Sequence, residues 1–253
     1  FTQADSDAKA QRREGSQRAF WCSCLSMLSL LSFLPTVTAN DATTDATNKV
    51  DTRLVDAAES KSWTMVSELV REGVNATQAQ PDGMTAIHWA VYHDDHRTVG
   101  LLIGAKCDVN AKTRYQVTPL SIACQLGRAD SAKRLVAAGA DTNATLPGGE
   151  TLLMTACRTG NVEVVKQLLK NKVQINATER REQTALMWAA AEGHADVCDL
   201  LIKAGVDLNA LTPTGFSAIM FAARQGHIEA VKRLLAAGVD VNTAMHPKSK
   251  GNR

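Results

Sequence analysis

Large rings are scarce in this 253-residue chain: four tryptophans, two tyrosines and five phenylalanines, or 4% of the whole. Compact cores are commonly anchored by such side chains, so this composition points to a frame packed from small aliphatic residues. An excess of one charge is missing too. Twenty-eight Lys and Arg stand against 26 Asp and Glu, a formal net charge of +2. That balance argues against an electrostatic role on nucleic acid or an anionic membrane. Of six cysteines, Cys22 and Cys24 fall in an N-terminal leader, and Cys107, Cys124, Cys157 and Cys198 show no C-x-x-C or finger spacing. The longest apolar run, FWCSCLSMLSLLSFL at 20–34, holds fifteen residues, four of them serine. A membrane span needs about 20.

What that run does have is the setting of an export signal. QRREGSQR (11–18) carries three arginines ahead of it, and Pro35 and TVTA follow, with Val37 and Ala39 at the small-residue positions before a cut at Asn40. Residues 1–39 are therefore expected to be a leader with a cleaved secretory signal, the alternatives being an uncleaved anchor or a cytosolic protein with an odd leader. EGS after Arg12-Arg13 does not fit a twin-arginine signal, and neither leader cysteine sits where a lipid anchor would need it. Because no methionine precedes Phe1, residues 1–10 are expected to be upstream translation or a fragment edge. The localisation expected is periplasmic or extracellular. NDATTDATNKVD (40–51) is too poor in apolar side chains to order itself and reads as a flexible linker.

From there the chain keeps a beat of 33. TAIHWA begins at Thr85, TPLSIA at Thr118, TLLMTA at Thr151, TALMWA at Thr184 and SAIMFA at Ser217, with a more polar copy, TRLVDAA, at Thr52. A second marker keeps time with it: REGVN at 71–75, AAGAD at 137–141, KAGVD at 203–207 and AAGVD at 236–240. Each threonine can cap a short helix. Gly127, Gly160, Gly193 and Gly226 then permit a left-handed turn, and a second helix with Leu168-Leu169, Leu201-Ile202 or Leu234-Leu235 ends at Gly139, Gly205 or Gly238. Asp94, Lys106 and Lys172 replace turn glycines, which predicts looser turns in copies two and four.

In its period and in Thr118-Pro119-Leu120 and Thr85-Ala86-Ile87-His88, the chain resembles the ankyrin-repeat family. The resemblance covers 52–242 and implies an all-α fold, an α-solenoid of stacked helix-turn-helix units with finger loops or β-hairpins, about six repeats in all. The domain spans 52–245, with copies at 52–84, 85–117, 118–150, 151–183, 184–216 and 217–249, and a tail at 246–253. IEAVKRLLAAGVDVN (228–242) reads as an internal copy and not a polar cap. The chain is thus expected to continue beyond Arg253.

Several stretches raise the question of chemistry. EGHADVCDLL (192–201) places His194 and Cys198 four apart, as one helix face of a metal or thiol site would. The repeat offers a plainer account: His194 aligns with Asn161 and His227, and Cys198 with Val165, Val231 and Ala132, an inward apolar position. HWAVYHDDH (88–96) gathers three histidines and two aspartates, but His88 fills the family's histidine position and 94–96 span a turn. Cys124 and Cys157 share one register position in adjacent copies, about 10 Å apart as packed helices are, too far for a disulfide. Trp89, Trp188 and Phe221 share a position with Ile122 and Thr155, which favours core over a ligand groove. LPGGE (146–150) lacks the Lys-Ser/Thr of a phosphate loop. No catalytic residues, metal or cofactor are expected.

The resemblance instead implies a partner protein held on the concave surface of finger tips and first helices. Register assigns Pro81, Asp82, Met84, Tyr92 and His93 to that surface in copy two, and Arg114, Tyr115, Val117, Gln125 and Leu126 in copy three. Glu150, Arg158 and Thr159 follow in copy four, Arg180, Arg181, Gln183 and Glu192 in copy five, and Thr214, Phe216, Arg224 and Gln225 in copy six. Tyr115, Arg114, Tyr92, Phe216 and Arg180 are the preferred anchors, since Tyr and Arg dominate hot spots. The function expected is a monomeric, non-catalytic interaction scaffold. Its rivals are the interaction part of a larger chain with a catalytic domain beyond Arg253, and an exported stress-protection or host-directed effector.

Overall fold

The computed structural model describes residues 51–241. The leader, the linker up to residue 50 and the tail lie outside the described residues.

Twelve helices fall among those residues, in six pairs at the spacing of the repeat. The pairs are α1 (Arg53–Glu59) with α2 (Trp63–Arg71), α3 (Ala86–Tyr92) with α4 (His96–Gly104), and α5 (Pro119–Leu126) with α6 (Ala129–Ala137). They continue with α7 (Leu152–Thr159) and α8 (Val162–Leu169), α9 (Ala185–Ala191) and α10 (Ala195–Lys203), and α11 (Ala218–Gln225) and α12 (Ile228–Ala236). First helices pack on first helices and second on second, with each pair closed internally. This is the expected all-α solenoid.

Columns of identical register build the core. Leu54, Ile87, Leu120, Leu153, Leu186 and Ile219 line one of them, and Leu69, Leu102, Leu135, Leu168, Leu201 and Leu234 line another; all are buried. A third column is alanine throughout: Ala57, Ala90, Ala123, Ala156, Ala189 and Ala222. Its methyl groups let neighbouring first helices approach closely, which explains how a chain poor in aromatic residues fills its interior to native density. Cys198 lies in the column of Val66, Val99, Ala132 and Val165 and is fully buried.

The threonines of copies three to five cap their helices as read from the sequence, whereas the Thr52 hydroxyl donates to Asp56 Oδ2 and makes no cap. The Oγ1 of Thr118 accepts from Ser121 N–H at 3.1 Å, and that of Thr151 from Met154 N–H at 3.2 Å. The mid-copy glycines are left-handed, with φ of 66°, 72°, 77° and 78° at Gly127, Gly160, Gly193 and Gly226. At two of them glycine is needed for space as well. A Cβ on Gly160 would fall 2.5 Å from the His194 ring, and one on Gly193 would fall 2.5 Å from that of His227.

The looser turns expected of copies two and four are realised only in copy four. In copy two Asp94 (φ 62°) and Lys106 (φ 59°) adopt the glycine conformation, and Lys106 and Cys107 donate their N–H groups to Ile103 and Leu102 as Gly139 and Ala140 do to Val136 and Leu135. In copy four α8 ends at Leu169, one residue before its counterparts α6, α10 and α12. Its carbonyl caps differ in one respect: Asn171 donates its N–H to Leu168 O as Ala138 and Ala204 do to Leu135 and Leu201, but its Nδ2 also donates to Gln167 O at 2.7 Å. A lysine at φ 53° carries a left-handed strain of about 1 kcal/mol.

Candidate functional site

Five fingers project between the pairs, and all close in the same way. Gln80 N–H donates to Met84 O, Thr113 to Val117, Leu146 to Glu150, Glu179 to Gln183 and Thr212 to Phe216, at 2.8–3.2 Å. Two of them also form a single antiparallel bridge, Ala79 with Thr85 and Thr145 with Thr151. Each tip turns on one left-handed residue: Gly83, Gln116, Gly149, Glu182 and Gly215. Gln116 at 60° and Glu182 at 56° do so without the freedom of glycine.

Neighbouring fingers are tied together. Arg114 Nη2 donates to Pro81 O at 3.3 Å and Arg180 Nη2 to Pro147 O at 2.9 Å, the same bond two copies apart. Arg114 N–H also donates to Asp82 O at 2.8 Å, and a Cβ on Gly83 would lie 2.8 Å from Thr113 Cα. Two of the preferred anchors, Arg114 and Arg180, therefore brace the finger row while their chains stay exposed. Tyr115, between them in the row, is 59% exposed.

On the groove floor, Tyr92, His93, Val117, Gln125, Arg158 and Phe216 are half-buried, while Glu192, Arg224 and Gln225 are exposed. Asp82, Glu150 and Gln183 are half-buried on the fingers, and Arg181 is exposed. Met84 is a correction. It is 8% exposed and belongs to the core. The residue before each threonine is half-buried in the other fingers, and an unbranched apolar side chain there completes the burial.

The aromatic column divides. Phe221, Ile122 and Thr155 are core residues, as expected, whereas Trp89 and Trp188 are only half-buried and border the groove. Arg158 lies 5.3 Å over the Trp188 ring and pairs with Glu150 at 3.3 Å. Arg224 lies 5.6 Å from both the Phe216 and the Phe221 rings. Around Trp89, His93 stacks at 5.8 Å and Tyr92 meets the indole edge-on at 5.8 Å. Copy one, absent from the surface mapped by sequence, also contributes. Trp63 meets His93 edge-on at 6.0 Å, and Glu59 and Asp56 accept from Gln80 Nε2 at 2.6 and 3.3 Å. The register that places Asp56 and Glu59 thirty-three residues before Trp89 and Tyr92 was the signal for this.

The stretches that suggested chemistry take structural places. His88 is fully buried. Its Nδ1 accepts from Thr85 N–H at 3.2 Å and Thr85 Oγ1 at 2.8 Å, and its Nε2 donates to Val117 O at 3.2 Å. That pairing requires the neutral ring, and burial lowers its pKa to about 4. His194 and His227 reach back one copy through Nε2 to Arg158 O and Ala191 O, each at 3.0 Å. Cys107, Cys124, Cys157 and Cys198 are free and buried. Burial pushes the Cys124 and Cys198 thiols up to about 12 and Cys157 well above its ordinary value, the opposite of a nucleophile's environment. Among the described residues no three His, Cys, Asp or Glu side chains converge as a metal site would need, and no helix is long and apolar enough to cross a membrane. A cavity of about 140 Å³ between two fingers is lined by Thr142, Asn143, Thr151, Val173, Gln174 and their neighbours, without a charged side chain.

The family model for ankyrin repeats, in its three-copy form, matches at 54–146, 130–211 and 153–245. The crystal structure of an ankyrin repeat protein superposes with a TM-score of 0.68 at 25% identity, covering 75% of this chain and 98% of that one. Proteins of this kind are in general protein-interaction modules and not typically catalytic. With matches reaching across nearly all the described residues and the helix pairs in one register, the chain belongs to the ankyrin-repeat family.

Proposed function

We propose that this chain is an exported, non-catalytic scaffold that holds a partner protein along the concave face formed by its fingers and first helices. The observation that carries this reading is the contrast between backbone and side chain in the finger row. All five fingers share one closing bond, yet at one register position of the tip their side chains differ: Asp82, Tyr115, Gly148, Arg181 and Thr214. A fixed frame with varied tips is what recognition without chemistry requires, because a pre-organised surface loses little entropy on binding. Tyr115 offers a large amphipathic ring at low entropic cost on a finger braced by Arg114.

Affinity capture with the mature chain tests the surface. Tyr115→Ala and Arg180→Ala are expected to lose the partner that the parent chain retains, and equal capture by all three removes the reading. Export has its own test. N-terminal sequencing of the protein from its source is expected to begin at Asn40, and a retained leader refutes cleavage.

A further inference from the structure

Aromatic rings stand at one register position of the first helix in copies two, five and six: Trp89, Trp188 and Phe221. In copies five and six an arginine of the same chain covers the ring. Arg158, from the preceding copy, lies 5.3 Å over Trp188 with Glu150 at 3.3 Å from its guanidinium, and Arg224 lies 5.6 Å from Phe221. At Trp188 the molecule thus shows one way to fill this position, a guanidinium from the preceding copy over the ring with a carboxylate at its edge; at Phe221 the arginine comes from the ring's own copy, at the register that Tyr92 takes beside Trp89.

At Trp89 the same position is filled differently. Three copies before Arg158, the residue in its place is Glu59. Glu59 and Asp56, both exposed, converge on the Gln80 carboxamide, whose Oε1 accepts from the Trp89 indole N–H at 3.0 Å. Two carboxylates are therefore linked to the indole N–H through Gln80, His93 stacks on the ring, and among the described residues no arginine or lysine lies over it. His93, Tyr92 and Trp63 extend the aromatic wall. Burial, with a smaller contribution from nearby Lys61, holds His93 below the ordinary imidazole range, so at neutral pH it does not oppose an incoming cation.

We propose that this notch at the N-terminal end of the groove seats an arginine side chain presented by the partner's docking segment. The proposal rests on the concave face being the docking surface. Guanidinium suits the seat better than ammonium, because a flat, weakly hydrated cation can stack on indole while its edge forks onto carboxylate oxygens. Glu59 offers the better acceptor, since Gln80 engages only one of its oxygens, whereas Asp56 accepts from Gln80 through one oxygen and from Thr52 Oγ1 at 2.9 Å through the other.

The test uses ¹H–¹⁵N spectra of the full chain, titrated with N-acetyl-arginine amide and with its citrulline counterpart, equal in length but neutral. The arginine compound is expected to move the Trp89 indole signal saturably and leave that of Trp188, which Arg158 already covers, in place. Citrulline is expected to bind about tenfold more weakly, the combined worth of an exposed cation–π contact and ion pair. Glu59→Arg installs the cation that copy four carries at this register and should abolish binding. Glu59→Gln, which keeps the shape, should weaken it and stands as the decisive variant if Glu59→Arg lowers the melting temperature. Equal shifts at both indoles, equal affinity for citrulline, or undiminished binding by Glu59→Gln overturns the proposal. If the arginine probe fails while Tyr115→Ala still loses the partner, the seat is wrong and the docking surface stands. If the probe binds while Tyr115→Ala and Arg180→Ala capture normally, the docking surface is wrong.

Discussion

The stability of the stack should fall steeply in mild acid, and one residue can be held responsible. His88 is buried with Nδ1 facing two donors, the backbone N–H and the hydroxyl of Thr85. Protonation puts a hydrogen on that nitrogen, breaks the bond from the Thr85 N–H and leaves a charge in an apolar interior. Burial sets the folded pKa at about 4, against about 6.5 when unfolded. The unfolded chain therefore binds this proton more readily than the folded one. The contribution of the neutral ring is fully present above pH 6.5 and is lost as pH falls from 6.5 toward 4. Across that window the two values correspond to about 3 kcal/mol, and at pH 4.5 about 2.5 kcal/mol should be gone. Copies four, five and six supply the control, since Met154, Met187 and Met220 occupy the register of His88. His88→Met should cost about 1 kcal/mol at pH 7.5, through the lost bond to Val117 O. It should then lose about 2.5 kcal/mol less than the parent on going to pH 4.5. Urea unfolding at the two pH values measures this, and the other titrating groups cancel because both proteins share them. If the parent and His88→Met lose stability in parallel, within about 0.5 kcal/mol, His88 is not held neutral by its surroundings.

Four further outcomes follow from the packing. Gly160→Ala meets both a positive φ and the His194 ring and should cost well over about 1 kcal/mol, whereas Gly205→Ala, with open space around its Cβ, should cost about 1 kcal/mol; equal urea midpoints would refute the crowding at His194. Lys172→Gly relieves a left-handed lysine and should raise stability by roughly 0.5–1 kcal/mol, while an unchanged or lowered melting temperature would show no strain there. Cys198→Val restores the side chain of its register neighbours and should change stability by less than about 1.5 kcal/mol. The four buried thiols of the parent should resist a thiol reagent until the chain unfolds, and rapid labelling in the native state would contradict their burial.

The frame was legible because its cause is periodic. An alanine and a leucine recur at fixed offsets in every copy and a turn glycine in most, and each has one physical reason to be there. The groove was legible only in part. Arg114 and Arg180 read as free anchors, but both reach the preceding finger, and a contact across 33 residues depends on the rotamer of a long side chain. No role for Asn110, Asn143 and Asn176 showed in the sequence, yet Oδ1 of each accepts from a backbone N–H one copy on, at Asp141, Gln174 and Asp207. Copy two kept tight turns despite Asp94 and Lys106, because the bonds around a left-handed residue can hold it there. Trp188 Nε1 is buried without a partner, and nothing in the sequence separated it from Trp89, whose indole reaches Gln80.

The unbroken alanine column bears on how such a chain changes length. Every junction between first helices presents the same methyl group, so this contact is common to all copies. Recombination that removes or inserts one 33-residue unit leaves a junction of familiar shape and disturbs no seam beyond it. What does change is the span between the Trp89 notch and the arginines farther along, in steps of about 10 Å, the spacing of packed helices. Selection on partner geometry can therefore act through the number of units while the rule that joins them stays untouched.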